Sequence, residues 1–166
     1  MKYMKLTGTK IYLTSIEDKD TDLVVKWRNR DFIMNNFIDR NPLTPEIHRK
    51  WLKDKVATGL VHQFIIHRKD IDEAIGSVYL RNVDVQKGSA EYGIFIGEEN
   101  AHGLGFGTEA CRMMIDYARS ELKLKKLLLR LRKENTIAHK TYVACGFEDT
   151  YQEDGIQFME RKLNED

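Results

Sequence analysis

His102-Gly103-Leu104-Gly105-Phe106-Gly107-Thr108 lies between an apolar strand pattern ending near Gly97 and an amphipathic helix pattern running from about 106 to 121. Three alternating glycines at such a junction let the backbone approach a ligand closely and adopt conformations closed to other residues. Several N–H groups then face that ligand with the positive end of the helix behind them, an arrangement suited to phosphates. The spacing G-x-G-x-G is not the dinucleotide-binding G-x-G-x-x-G, and the loop lies past the middle of the chain instead of opening a first βαβ unit. No Gly-Lys-Ser/Thr follows, which excludes a P-loop. A tight turn alone would not need three glycines and a helix start.

Outward from the loop, Ala110, Cys111, Met114, Ile115, Ala118 and Leu122 recur at helical spacing. Leu127, Leu129 and Leu131 alternate with Leu128, Arg130 and Arg132, as in a strand. Asn135 or Thr136 caps a last helix that ends at Gly146, and Asp154-Gly155 marks a type I′ hairpin. Upstream, strands are expected at about 61–68, 74–83 and 89–97, forming an antiparallel meander. Leu6 to Leu13 reads as one strand, and Thr21/Asp22 as the cap of a helix that carries Leu23, Val24 and Trp27 and ends near Asn29. Thr44-Pro45-Glu46 starts a second helix, with Ile47, Trp51 and Leu52 as its apolar stripe. The order β-α-α-β-β-β-α-β-α-β-β predicts an α/β (α+β) fold in which helices flank a mixed, mostly antiparallel seven-stranded sheet.

The segment from Ile96-Gly97-Glu98 through Gly107-Thr108-Glu109-Ala110 resembles the Q/R-x-x-G-x-G/A pyrophosphate loop of the GNAT family of N-acetyltransferases. A second block, Asn135-x-x-Ala138-x-x-x-Tyr142-x-x-x-Gly146-Phe147, stands where that family carries its last helix and following strand. The resemblance spans roughly residues 5 to 163, and only loosely in the first third. One departure is His102, which occupies the position of the usual Gln or Arg. A neutral imidazole contributes less positive charge, so phosphate binding leans more on backbone N–H groups.

The resemblance implies a sheet splayed at an acetyl coenzyme A cleft, with acetyl-CoA as cosubstrate and no metal. Phe95, Ile96 and Gly97 stand where the family's backbone pairs with the pantetheine arm. His102, Gly103, Leu104, Gly105, Phe106, Gly107 and Thr108 would carry the pyrophosphate, and Asn135 would bond the arm. Tyr142 would donate its phenolic proton to the departing thiolate, a task suited to a group with an ordinary pKa of about 10; a buried packing tyrosine is the alternative. Glu91, inside a strand lining the cleft, is either the general base toward the ammonium or one arm of a structural salt bridge, with a water chain serving instead. Arg28 and Asn29 end the helix that commonly builds the acceptor wall.

The 166 residues, 42% hydrophobic, correspond to one N-acetyltransferase domain over 1–166. Twenty-seven basic and 26 acidic residues are well mixed, so no nucleic-acid footprint is evident, and no apolar run approaches a membrane span. Cys111 and Cys145 fall in apolar helical patterns and read as core, and the N-terminus lacks a signal-peptide pattern, so a reduced cytoplasmic protein, monomer or homodimer, is expected. The basic run Lys123 to Lys133 reads as a solvated strand edge. Arg28 and Arg30 favour a small anionic amine, such as a nucleotide-linked amino sugar, as acceptor; a ribosomal-protein N-terminus and a polyamine are the alternatives. The rival from another class is a non-catalytic acyl-CoA sensor.

Overall fold

A computed structural model describes residues 2–163. One eight-stranded sheet in the order β1-β2-β3-β4-β5-β6-β8-β7 organises it. Strands β1 (Lys5–Thr7), β2 (Ile11–Ser15), β3 (His62–Arg68), β4 (Glu73–Asp84) and β5 (Ser89–Ile96) form a continuous antiparallel run. β5 then meets β6 (Lys126–Arg132) in the sheet's one parallel pairing, and β8 (Ile156–Lys162) pairs antiparallel with β6 and with β7 (Glu148–Glu153). The mixed, mostly antiparallel architecture matches the sequence expectation, with eight strands in place of seven.

The additional strand arises at Gly8. The expected single strand from Leu6 to Leu13 folds back there, with Gly8 N–H donating to Ile11 O at 2.9 Å and Leu6 opposite Leu13. A Cβ on Gly8 would meet the Glu109 carboxylate at 2.6 Å, because the turn is pressed against the first turns of α4 (Phe106–Ser120). Glu109 Oε2 accepts the N–H groups of Lys10 and Ile11 at 2.9 and 3.0 Å, fastening the turn to that helix.

Two cores follow from the alternation of strand side chains. On one face α4 packs Ala110, Cys111, Met114 and Ile115 against Ile11, Phe64, Val78 and Leu127, and α5 (Thr136–Ala144) covers the far end. On the other, α1 (Thr21–Arg28), the short α2 (Asp31–Met34) and α3 (Pro45–Trp51) enclose Val24, Trp27, Ile33, Ile65 and Phe95. Thr44 caps α3 as expected, accepting from Ile47 N–H at 3.2 Å. Thr21 is a buried helical residue and not a cap; its Oγ1 meets His48 Nδ1 at 2.9 Å. His48 thus takes the inward position of α3 that the stripe assigned to Ile47, which is 53% exposed. The basic run is corrected in part: β6 is paired on both sides over Lys126 to Leu128, and beyond that only with β8. Asp154 and Gly155, both at positive φ, make the expected hairpin turn.

Burial pushes the titration of His48, His62 and His67 below the ordinary imidazole value of 6.5. The fold therefore keeps these rings neutral while the unfolded chain binds protons, and the stability they contribute is lost as pH falls through the unfolded value. Thermal melts should show a lower Tm at pH 5.5 than at pH 7.5; a Tm that rises on acidification would contradict this.

Candidate active site

The parallel pairing of β5 with β6 covers only Ser89 to Glu91 against Lys126 to Leu128. Beyond it, Tyr92–Ile96 and Leu129–Arg132 continue as strands with no ladder between them, and the sheet opens into a V. The unpaired edges expose backbone groups that an extended ligand arm can join as an added strand.

The glycine loop stands at the end of β5. Gly103 and Gly105 have φ of 74° and 85°, left-handed conformations in which a side chain is strained, and Gly105 is the N-cap of α4. The first bond into the helix is Glu109 N–H to Gly105 O at 3.1 Å. Among the described residues, no acceptor takes the N–H groups of Gly103 through Thr108. A Cβ on Gly107, which lies within α4 itself, would meet nothing within 4 Å. No protein neighbour therefore explains a glycine there, and the space in front of the helix end is open.

The other expected contacts divide. Gly97 is a packing glycine: a Cβ there would stand 2.2 Å from Trp27 Cγ. Phe95 has its side chain in the core, edge-on to Trp27 and Phe37. The carbonyls of Ile96 and Gly97 are already engaged, the first by His102 Nε2 at 2.9 Å and the second by Arg30 Nη1. His102 stacks edge-on to Phe32, so this imidazole is turned toward the strand end and α2. The cation beside the loop is instead Lys10, whose Nζ donates to Leu104 O at 3.2 Å. Sequence reading missed it because 94 residues separate the two and nothing local to Lys10 marks it. Glu98 receives Trp27 Nε1–H at 2.7 Å and Arg30 at 3.2 Å; burial opposes its ionisation, but these donors outweigh it and hold the carboxyl below its ordinary range.

At the base of the V, the Tyr92, Tyr142 and Phe147 rings pack with centroids about 6 Å apart. The Tyr142 hydroxyl makes no hydrogen bond among the described residues, and burial, aided by nearby thiols and Tyr79, pushes its pKa up, so it keeps its proton at neutral pH. Asn135 is the N-cap of α5, its Oδ1 accepting from Ala138 N–H at 3.4 Å, which leaves Nδ2 to act as a donor.

The opposite face of the V is lined by arginines. Glu91 Oε2 accepts from Arg81 at 2.9 and 2.5 Å and from Arg130 at 3.3 and 3.2 Å. This is the salt-bridged arrangement that the sequence left open beside the base role. Arg132 donates to the carbonyls of Phe37 and Ile38. Arg28 lies over the Phe37 ring at 3.9 Å, and its Nη1 is buried with no hydrogen-bond partner among the described residues. Burial pushes the Arg28 pKa down from its ordinary value, against the pull of Tyr79 and Asp39. Asn29 clamps the chain after α2: its amide donates to Leu43 O and accepts from Leu43 N–H, both at 2.8 Å.

A family model described as an acetyltransferase (GNAT) domain matches residues 10–148. The chain belongs to the GNAT family. It is an N-acetyltransferase by that membership, and the relatives found agree with it. It is 27% identical over 143 residues to the uncharacterized N-acetyltransferase p20 of Bacillus licheniformis, covering 84% of this chain and 79% of that protein. The alpha/beta-tubulin-N-acetyltransferase 9 of Drosophila melanogaster is 27% identical over 158 residues, 88% of this chain and 79% of its own. In fold, the chain is similar to the spermidine N-acetyltransferase of Vibrio cholerae, solved in complex with CoA and spermine, with a TM-score of 0.82, 21% identity, and 94% and 97% of the two chains covered.

Gly107 separates folding from ligand binding. Gly107→Val should melt within a few degrees of wild type, because the new side chain meets open space, yet lose at least about tenfold in coenzyme A affinity through blocked approach to the helix end. Calorimetric titration checks this, and unchanged affinity in a folded variant would remove the loop from the phosphate site.

Proposed function

We propose that this GNAT enzyme transfers the acetyl group of acetyl-CoA directly to the primary amine of a small anionic acceptor, such as a nucleotide-linked amino sugar. The pyrophosphate rests on the N–H groups of Gly103 to Thr108 with the Lys10 ammonium beside it, and the pantetheine runs along the open edge of β5. Asn135 Nδ2 is placed at the head of α5 to bond the arm. The neutral amine attacks the thioester carbonyl, the carbon–sulfur bond breaks, and the Tyr142 phenol protonates the leaving thiolate.

The observation that carries the acceptor class is the buried, unpartnered Nη1 of Arg28. A desolvated guanidinium nitrogen without an acceptor is costly and is satisfied by a carboxylate or phosphate oxygen. Arg81, Arg130 and Arg132 stand on the same face of the V, so a polyamine would bring its ammonium groups against guanidiniums. That positive field also favours the unprotonated form of an acceptor amine. Glu91 then serves to hold Arg81 and Arg130 in place, and bulk water can take the amine's proton.

Tyr142→Phe should bind coenzyme A as wild type does while kcat falls about 10²-fold, and the deficit should shrink with an acyl donor whose thiol is more acidic. An equal deficit with both donors would leave Tyr142 as a packing residue. Glu91→Gln keeps an oxygen for the arginines and removes basicity; retention of the acidic limb of the kcat/KM profile supports the holding role, and its loss with a fall of about 10²-fold restores Glu91 as base.

Arg28→Met should leave Tm unchanged or raise it, since a half-buried guanidinium with an unbonded Nη1 gives way to an apolar chain over Phe37. The same change should raise KM for phosphate- or carboxylate-bearing amines at least about tenfold with coenzyme affinity intact. Acetylation of spermidine in preference to every anionic amine tested would overturn the acceptor class.

A further inference from the structure

On the arginine face, successive rungs of β4 and β5 pair Arg81 with Glu91, Tyr79 with Gly93 and Ser77 with Phe95. The first rung is held by the ion cluster with Arg130, and Phe37, with Arg28 over its ring, packs edge-on against Phe95 of the third. Tyr79 stands between them, half-buried. Its partner Gly93 lies two residues beyond the end of the β5–β6 ladder, on the open edge of β5. A Cβ on Gly93 would meet the Tyr79 hydroxyl oxygen at 2.6 Å and its Cε2 at 2.5 Å, so the ring crosses the β5 backbone at the glycine and carries its hydroxyl toward the side from which β6 has parted. Gly93 is not at positive φ. The ring, not the backbone conformation, keeps a side chain out of that position.

The Tyr79 hydroxyl makes no hydrogen bond among the described residues, and burial, partly offset by Arg81 and Arg28, pushes its pKa up, so the phenol keeps its proton. Packing alone is served on this face by phenylalanines, Phe37 and Phe95. An amine that attacks a thioester aims its lone pair at the carbonyl carbon and must place its N–H groups against acceptors. Guanidiniums only donate, and Glu91 Oε2 is engaged by Arg81 and Arg130 one rung back. A neutral phenol oxygen can accept. As the carbon–nitrogen bond forms, the nitrogen gains positive charge and its N–H becomes a stronger donor, so a hydrogen bond made there is stronger in the transition state than in the ground state.

We propose that Tyr79 orients the attacking amine, its hydroxyl oxygen accepting an N–H from the nitrogen beside the open edge of β5 at Gly93. The role rests on acetyl transfer with the pantetheine along that edge, and is independent of the charge carried elsewhere on the acceptor. No proton passes to the phenol in this step. The hydrogen bond holds the nitrogen while its bond to the carbonyl carbon forms, and water takes the proton afterwards.

Tyr79→Phe keeps the ring over Gly93 and removes one oxygen that no protein group bonds, so Tm should stay within a few degrees of wild type and coenzyme A affinity should be unchanged. With the best primary amine found, whatever its charge, kcat should fall at least about tenfold at unchanged KM for acetyl-CoA. A readout without turnover uses two coenzyme A conjugates, the sulfur joined through a methylene-carbonyl unit to the nitrogen of aminoethyl phosphate, one with its amide N–H and one N-methylated. In calorimetric titration wild type should bind the N–H conjugate at least about tenfold more tightly than the methylated one, and Tyr79→Phe should bind the two alike. Arg28→Met should weaken both conjugates and leave their ratio intact, which separates the acceptor class from the role of Tyr79. Full kcat in Tyr79→Phe, no preference of wild type for the N–H conjugate, or a preference that survives loss of the hydroxyl would each overturn that role. Conjugates bound no more weakly by Arg28→Met would overturn the anionic acceptor and leave the N–H ratio as the measure of Tyr79.

Discussion

The chemistry of this fold depends on one interruption of hydrogen bonding: the β5–β6 ladder stops at Glu91 opposite Leu128 while both strands run on. Parallel neighbours normally bury their edges completely, and unpaired edges cost free energy unless something joins them. Here the gap is supported from both sides. The Tyr92, Tyr142 and Phe147 rings pack on the α4 face, and the Glu91–Arg81–Arg130 cluster knits the last paired rung on the other. The V therefore connects two chemically different faces. One holds the helix end with its unsatisfied N–H groups and the Tyr142 phenol, and the other holds arginines.

The glycine loop shows how unequal three similar residues can be. Gly103 and Gly105 are favoured by positive φ, whereas Gly107 faces open space in an otherwise ordinary helical turn. The turn is held from behind, since Glu109 in the first turn of α4 fastens the β1–β2 hairpin, and the hairpin carries the Lys10 ammonium to Leu104 O. His102, at the loop position where the family commonly carries Gln or Arg, is engaged with Ile96 O, and the ammonium beside the loop comes from a different element.

The arginine face carries an unfavourable feature of the fold. A guanidinium nitrogen with no acceptor and a charge partly removed from water destabilise the folded state, and contact with the Phe37 ring offsets this only in part.

The architecture was legible in the sequence because it rests on local periodicity. The alternation at Leu127, Leu129 and Leu131, the helical recurrence from Ala110 to Ala118, the Thr44 cap and the Asp154-Gly155 turn each depend on neighbours a few residues away. The three-glycine loop belongs to the same class, since a helix start after a strand is a local event. What the tertiary structure decided are encounters between distant segments. Gly8 breaks a strand because Glu109 lies against it; Gly97 is a glycine because Trp27 lies on it; Asn29 is occupied because Leu43 comes back to meet it. Glu91 becomes the centre of an ion cluster only once β4, β5 and β6 are aligned, and Arg28 lies over Phe37 with its Nη1 lacking a hydrogen-bond partner among the described residues. Side-chain spacing along the chain encodes which face a residue takes, but not which groups from elsewhere will already be there to satisfy it.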